Sequence, residues 1–173
     1  MLKSFLLLLV LASNSLSAQT DNGMNKDGRI SQLTNEDCQA LSSDRQWVND
    51  LLTGFGSDLR LTKSPKDIPI LHSLMDSGPF TDDASAELAV FGTVYGDVLA
   101  QEIGLNWVVV TDELGSEYAL QYQNKKVFVF PRDLLIKRIE RGERPSEIDL
   151  DAMLREISDE VTKQAEAAAV VKP

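Results

Sequence analysis

The sequence predicts a single α+β domain in which helices pack on a small three-stranded antiparallel sheet, in the order α-α-α-β-β-β-α-α. An apolar stripe with helical spacing covers residues 88–103. Three short stretches rich in β-branched and aromatic residues follow at 107–111, 117–123 and 126–130. The loops between these stretches are too short for a parallel crossover, so the strands should form an antiparallel meander.

Residues 1–18 have the features of a signal peptide. Lys3 precedes an unbroken apolar run over residues 5–12, which is too short to span a bilayer. Residues 16–18 resemble the small-residue site that a signal peptidase accepts, and we expect cleavage after Ala18. The protein should therefore be periplasmic or secreted, with no membrane span after cleavage. An uncleaved membrane anchor is the alternative.

The remaining chain divides into three parts by composition. Residues 19–32 are polar and contain two glycine turns, which predicts a disordered leader. Residues 33–164 form the predicted domain, a length sufficient to bury a core. Residues 165–173 are rich in alanine, and we expect this tail to fray.

Composition excludes several classes of protein. The chain has 17 basic and 27 acidic residues, a formal charge of −10, which argues against binding to nucleic acid or anionic lipid surfaces. Cys38 is the only cysteine and should be buried and inert, with an intermolecular bridge as the alternative. His72 is the only histidine, which excludes zinc sites built on two histidines. The sequence therefore predicts no cofactor and no metal site.

The first two helices are predicted from their end signals. Thr34 and Asp37 form a capping box that begins a helix over residues 35–52. Trp47 belongs to the apolar face of this helix and should anchor the core. A short helix over residues 70–75 carries His72, which has no partner for general-base catalysis nearby in sequence.

The third helix contains an unusual pair of glycines. Thr81 should cap this helix and Gly104 should end it. Gly92 and Gly96 lie one turn apart inside it, where each costs about 1 kcal/mol relative to alanine. Such a pair indicates that another strand or helix crosses closely at this point. A ligand lying against the bare backbone is the alternative.

Glu102 falls within the apolar stripe of the third helix. A carboxylate in such a position must be paired, protonated or directed outward from the helix end. Because Gly104 follows two residues later, we expect Glu102 to reach solvent or to pair with an arginine. A functional carboxylate with a raised pKa is the alternative.

The first predicted strand and its turn carry three candidate residues. Trp107 begins a strand that is apolar on both faces, so both faces should be covered. Asp112 and Glu113 lie in the following turn, which ends at Gly115. Two carboxylates invite comparison with glycosidases, but adjacent turn residues point in different directions and should meet solvent.

The fourth helix, predicted over residues 132–141, ends in a cluster of basic residues. These cations complement the helix dipole, or else form a patch that docks an anion or a partner. Ser146 and Asp149 should cap the last helix. The clustered residues are Lys137, Arg138, Arg141 and Arg144.

Residues 88–143 resemble an uncharacterised bacterial domain family, one of the domains of unknown function. The resemblance rests on FGTVYGDVLAQEIGLNWVVVTDELG at residues 91–115 and on FVFPRDLLIKRIERGE at residues 128–143. It implies no activity, substrate or cofactor. It draws attention to Gly96, Asp97, Trp107, Asp112, Glu113, Arg138 and Glu140.

Three function classes follow. The first is a non-enzymatic, exported binding or interaction module of the cell envelope, whose partner would be another envelope protein. The second is a carboxylate-dependent envelope hydrolase, and the third is a small-ligand-binding protein with a pocket near Gly92 and Trp107. Convergence of Glu102, Asp112 and Arg138 on one concave site would favour the hydrolase. The candidate functional residues are Gly92, Gly96, Glu102, Trp107, Asp112, Glu113, Arg138 and Arg141.

Overall fold

A computed structural model describes residues 29–77 and 84–170. The predicted signal peptide (1–18), residues 19–28 of the predicted leader, the Thr81 cap and the last three residues lie outside these ranges. The helices are α1 (Asn35–Gly54), α2 (Ile68–Ser77), α3 (Ser85–Ile103), α4 (Pro131–Glu140) and α5 (Leu150–Val170), with 3₁₀ turns at Pro65–Asp67 and Pro145–Glu147. The strands are β1 (Arg29–Gln32), β2 (Leu105–Asp112), β3 (Gly115–Tyr122) and β4 (Phe128–Val129).

The α+β class is confirmed, but the prediction of three strands and the exact element order is wrong. The described residues form a four-stranded antiparallel sheet in the order β1-β2-β3-β4. The additional strand, β1, comes from residues assigned to the leader and pairs with β2 from Arg29–Thr111 to Gln32–Val108. Its sequence carries no alternating apolar pattern, so pairing with the otherwise open edge of β2, not burial, makes it a strand.

The sheet has apolar residues buried on both faces of β2, as predicted. The register of β2 and β3 runs from Leu105–Tyr122 to Asp112–Gly115, leaving Glu113 and Leu114 as a two-residue hairpin tip. One face contributes residues such as Leu105 and Leu120 to the main core. The other face carries a smaller buried cluster of Val108, Val110, Ala119 and Phe128.

Helix α1 begins with the predicted capping box and buries one face. The Asp37 amide donates to Thr34 Oγ1 at 3.1 Å, and the Thr34 amide donates to Asp37 Oδ2 at 2.8 Å. Trp47, however, is 42 % exposed. Its ring makes only an edge-to-face contact with the Phe91 ring, and the two ring centroids are 6.1 Å apart. The prediction that Trp47 anchors the core is therefore wrong, because the tryptophan lies on a flank of the helix beside its buried face.

Two other predictions about single side chains have different outcomes. Cys38 is exposed on the first turn of α1, so the prediction of a buried thiol is wrong. His72 lies half-buried on α2, in agreement with its interpretation as a packed or half-exposed histidine.

Helix α3 is the centre of the fold. All residues from Phe91 to Leu99 are buried, including the polar Thr93 and Asp97. Gly104 ends the helix in the left-handed conformation, with φ of 75°, as predicted. A helix enclosed on every side must supply a partner for each polar group it buries.

The glycine pair of α3 lets another backbone approach closely, as predicted. A Cβ atom added at Gly92 would lie 2.5 Å from the Arg132 Cα atom and 2.5 Å from the Pro131 carbonyl oxygen. At Gly96 it would lie 2.5 Å from the Trp107 indole ring. The crossing element is therefore the start of α4, with Trp107 filling the remaining space.

Helix α5 covers the core from the C-terminal side. The Ala152 amide donates to Asp149 Oδ1 at 2.8 Å, so Asp149 caps the helix, whereas Ser146 belongs to the preceding 3₁₀ turn. The buried Tyr95 hydroxyl donates to the Leu150 carbonyl at 2.9 Å and fixes the start of α5 against α3. The helix continues to Val170, beyond the predicted end at 164. No described helix is both long and apolar enough to cross a membrane.

The close contact at Gly92 predicts that Gly92→Ala destabilises the protein, although alanine is intrinsically favoured in a helix. The added methyl group meets backbone atoms that cannot rotate away, so α4 must shift, and we expect a loss of about 2–3 kcal/mol in the free energy of unfolding. Chemical denaturation measures it.

Gly54→Ala is the matched control, because nothing lies within 4 Å of a Cβ atom at this helical glycine. It should be neutral or stabilising by up to ~1 kcal/mol. Equal effects of the two substitutions would contradict the packing role of Gly92.

Candidate functional site

A buried ion pair joins α1, α3 and β2 through Asp97. The Arg45 guanidinium donates to both carboxylate oxygens of Asp97, at 2.5 and 2.7 Å, and the Trp107 indole N–H donates to Oδ1 at 3.0 Å. Asp97 is only 6 % exposed. Because a bidentate guanidinium and an indole satisfy this carboxylate, its observed role is to hold the three elements together.

A second set of polar contacts surrounds this ion pair. The Thr93 hydroxyl donates to Asp44 Oδ2 at 2.7 Å, and Arg132 lies 3.9 Å from the same carboxylate. The Arg132 guanidinium also lies over the Tyr118 ring, 5.6 Å from its centroid. The Tyr118 hydroxyl in turn donates to Asp37 Oδ1 at 3.0 Å, although the Thr34 hydroxyl makes the largest contribution to the lowered pKa of Asp37.

We call these contacts the polar network of α1 and α3. Its residues are Asp37, Asp44, Arg45, Thr93, Asp97, Trp107, Tyr118 and Arg132. The sequence analysis identified Asp97 only through the family resemblance, identified Trp107 also as the start of the first predicted strand, and missed Arg45. A carboxylate in the middle of an otherwise apolar helix indicates that a cation must lie next to it in the folded protein.

The structure places no ligand space at Gly92 and Trp107. Pro131, Arg132 and the Trp107 ring occupy the surface that the two glycines leave open. The predicted small-ligand pocket at this position is therefore wrong, because the protein fills the position with its own side chains and backbone.

The predicted carboxylates do not come together. Glu102 is exposed near the end of α3, next to the start of β2. Asp112 and Glu113 are exposed at the other end of β2, where Asp112 Oδ1 accepts a hydrogen bond of 2.7 Å from the Leu114 amide. At the usual rise per residue of a strand, the two ends of β2 are about 23 Å apart. Glu102 cannot act with either turn carboxylate on one substrate bond.

Most of the predicted basic cluster is paired with carboxylates. Lys137 Nζ lies 2.5 Å from Asp133, and Arg138 lies 3.0 Å from Glu143 and 3.9 Å from Glu156. Arg144 pairs with Glu147 at 2.5 Å, and Arg141 is exposed just beyond the end of α4. These ion pairs reduce the attraction that the cluster could exert on an anionic partner.

Glu117 has the raised pKa that is typical of functional carboxyl groups, although the sequence analysis did not single it out. It lies half-buried on β3, and burial is the main reason that its pKa rises to about 7. The negative charge of the neighbouring Asp133 raises the pKa further, while Lys137 lowers it. The sequence signal was a carboxylate at an inward position of an alternating strand.

An open apolar groove of about 410 Å³ lies between the end of α1 and α2. Phe55 and Leu59 form part of its wall and remain 57 % and 58 % exposed. Its other apolar walls are Leu52, Pro69, Ile70 and Leu74, and three serines complete the lining. The volume lies within the range typical of ligand-binding pockets.

The apolar surface continues from the groove along α1. Trp47, Leu51 and Phe55 are spaced four residues apart and so occupy successive turns of one flank of the helix. Trp47 and Phe55 are exposed and Leu51 is half-buried between them. Over eight residues this strip is about 12 Å long. We refer to Trp47, Leu51, Phe55 and Leu59 as the α1 apolar strip.

Among the described residues, no group of three or more histidine, cysteine or acidic side chains is arranged to hold a metal ion.

The comparisons with known proteins give a family match for part of the chain and a shared fold. Residues 67–150 match the family described as Domain of unknown function (DUF3806), which confirms the predicted resemblance to an uncharacterised domain family. No curated protein matches the sequence.

One similar solved structure is a protein from Bacteroides thetaiotaomicron VPI-5482, whose crystal structure was determined at 1.50 Å resolution. The two are 14 % identical with a TM-score of 0.60, over 87 % of this chain and 52 % of that chain. This chain thus spans about half the length of that protein, and the likeness shows a shared fold alone.

The buried ion pair predicts that Asp97→Asn strongly destabilises the protein. The amide leaves the Arg45 guanidinium charged, 15 % exposed and without a counter-ion, and removing one partner of a buried pair costs about 3 kcal/mol. Thermal and chemical denaturation measure the loss.

Arg144→Gln provides the comparison, since it breaks the exposed Arg144–Glu147 pair and should change stability little. If Asp97→Asn were as mild as Arg144→Gln, the polar network would not hold the fold together, and a functional role for Asp97 would become the better interpretation.

Proposed function

We propose that the protein is a non-enzymatic, exported binding module of the cell envelope that docks an apolar segment of another envelope protein. The observation that carries this proposal is the α1 apolar strip leading into the open groove between α1 and α2. Large apolar side chains that remain exposed side by side are typical of interaction surfaces.

The composition of the strip supports a protein partner. Tryptophan and other aromatic residues are enriched among the few residues that dominate binding energy at interfaces. Trp47 lies two helical turns away from the groove residue Phe55, so the exposed surface extends beyond the groove itself. A small molecule could occupy the groove alone, whereas a peptide or helix could cover both the groove and the strip.

The location of the strip also supports a role in binding. The polar network uses a different part of α1, with Asp44 and Arg45 directed toward α3. The strip takes no part in these hydrogen bonds, so its side chains can be covered by a partner without disturbing them. Export is supported by the signal-peptide pattern of residues 1–18.

The hydrolase alternative receives no support from the carboxylates on which it depended. Glu102 lies beside the start of β2 and Asp112 at its other end, and Arg138 is paired with Glu143. Acid–base catalysis at a glycosidic or acyl bond needs groups within about 10 Å of one another.

The proposal predicts that Phe55→Ser combined with Leu59→Ser weakens binding to the envelope partner at least tenfold. Each substitution removes an exposed apolar contact and leaves the core unchanged, and the loss of two central contacts exceeds about 1.4 kcal/mol. The partner is first captured from envelope extract with the full chain. The Kd is then measured by titration calorimetry with both purified proteins.

Leu114→Ser is the matched control, because Leu114 is a 98 % exposed leucine at the hairpin tip, outside the strip. It should bind like the unsubstituted protein. A partner that binds the double variant with unchanged Kd, or one lost only with Leu114→Ser, would contradict docking on α1. Trp47→Ser separates the two kinds of ligand, since it should weaken a protein segment and not a small molecule confined to the groove.

A further inference from the structure

The loop that joins α1 to α2 borders the open groove and carries a concentration of positive charge. We call residues 57–66 the basic loop. Ser57 and Leu59 of this loop line the groove, and Asp58 is its one carboxylate. Three cations and one carboxylate give the loop a formal charge of +2, whereas the whole chain carries −10. The cations, all of them exposed, are Arg60, Lys63 and Lys66.

These cations are not neutralised within the described structure. Among residues 29–77 and 84–170, the ion pairs involve other basic residues, and none includes a cation of the basic loop. The basic cluster at the end of α4 differs, because Lys137, Arg138 and Arg144 each have a carboxylate partner. The basic loop therefore keeps a local positive field that attracts an anionic group.

Arg60 is the cation that the structure ties directly to the groove. Its Nη1 atom donates to the Leu59 carbonyl at 2.7 Å and to the Ser57 carbonyl at 3.4 Å. Because both of these residues line the groove, the guanidinium is held against the groove wall. A guanidinium has further N–H donors on Nη2 and Nε, and the planar fork of these donors matches a carboxylate.

Buried hydrogen bonds fix the shape of the basic loop. The fully buried Asp67 carboxylate accepts from the Thr62 amide at 2.9 Å and from the Lys63 amide at 2.7 Å. The Leu61 amide donates to Asn49 Oδ1 of α1 at 3.0 Å. Lys63 has a left-handed backbone, with φ of 58°, which a residue other than glycine keeps only when its surroundings impose it. The loop backbone is thus preformed, and this lowers the entropic cost of binding.

Other exposed carboxylates near the groove lie on the two helices. Asp50 is exposed on α1 and accepts a hydrogen bond of 2.7 Å from Gln46. Asp76 is exposed near the end of α2, whereas Lys66 lies just before the start of α2. At the rise of a helix, Asp76 and Lys66 are about 15 Å apart. Positive charge is therefore concentrated at the loop end of the groove.

We propose that the segment that docks in the groove carries an acidic side chain beside its apolar residues, and that Arg60 binds this carboxylate at the groove rim. The inference rests on the proposed docking function and adds the chemistry of the partner. Apolar side chains of the partner cover Phe55 and Leu59, and its acidic side chain meets the basic loop. Lys63 and Lys66 strengthen the field that guides the acidic segment to the groove.

The charge of the whole protein favours a peptide segment over an anionic bilayer. A negatively charged membrane surface repels a chain with a formal charge of −10. A single acidic side chain on a peptide can approach the basic loop without meeting the carboxylates elsewhere on the surface. The exposed Trp47 also extends the apolar surface beyond the groove, as a peptide or helix requires.

Peptide selection on the full chain tests the proposal before the natural partner is known. A display library of random peptides is selected on the unsubstituted protein and, in parallel, on Arg60→Glu. The first selection should enrich peptides that combine large apolar residues with Asp or Glu. The second should enrich Lys or Arg in place of the acidic residues, because reversing the charge on the protein reverses the charge preferred on the ligand.

The Kd of an enriched acidic peptide, measured by titration calorimetry, gives the size of the effect. Arg60→Gln should weaken binding about tenfold and reduce its dependence on salt, because a charge-assisted hydrogen bond is lost. Arg155→Gln is the matched control, since Arg155 is an exposed arginine on α5 outside the groove lining, and it should leave the Kd unchanged. Equal Tm values for the two variants exclude a folding defect.

The outcomes separate this proposal from the docking function on which it rests. Enriched apolar peptides without acidic residues, or an unchanged Kd in Arg60→Gln, would overturn the acidic partner and leave docking on α1 intact. Peptides that bind Phe55→Ser combined with Leu59→Ser as well as the unsubstituted protein would contradict docking itself, and with it the proposal. Binding to phosphatidylglycerol vesicles that is lost in Arg60→Gln, without enrichment of any acidic peptide, would assign the loop to lipid and also overturn the proposal.

Discussion

The complete enclosure of α3 is the constraint on which the rest of the structure depends. Its residues from Phe91 to Leu99 have no exposed face, so every neighbour must match it closely. Where α3 carries glycine, α4 approaches until backbone meets backbone. Where it carries Thr93 and Asp97, α1 supplies a carboxylate and a guanidinium. The positions of α1 and α4 thus follow from particular residues on α3.

This arrangement separates the polar residues that hold the fold from the surface available for binding. The charged side chains most deeply placed in the described structure are already partnered, which leaves them little capacity to engage a substrate. The exposed apolar side chains of α1 have no comparable engagement. Exposing a narrow apolar surface to water costs little free energy, and covering it with a partner lowers the free energy of the complex. Recognition through α1 is therefore compatible with a rigid, satisfied interior.

The fold was largely predictable, and the reasons for the misses are physical. Local signals such as the Thr34 capping box, the Gly104 terminus and the β2–β3 turn lie within a few residues, so sequence alone indicates them. The strand β1 depends on a partner about 80 residues away and has no pattern of its own. For the candidate site, the close approach at Gly92 was predictable from the cost of glycine in a helix. The exposure of Trp47 was not, because it depends on how far neighbouring helices extend over one flank of α1.

The dependence of Asp97 on Arg45 shows that the segment matching the family does not contain all the residues that hold it together. The matched segment, 67–150, contains the acidic half of the buried pair and not the basic half, which lies on α1. It also ends where α5 begins, before Met153, Ile157 and Val161 complete the core. The region recognised by sequence is thus smaller than the region that must fold together. In this chain, the segment that matches the family therefore depends on α1 for the cation that pairs with its aspartate.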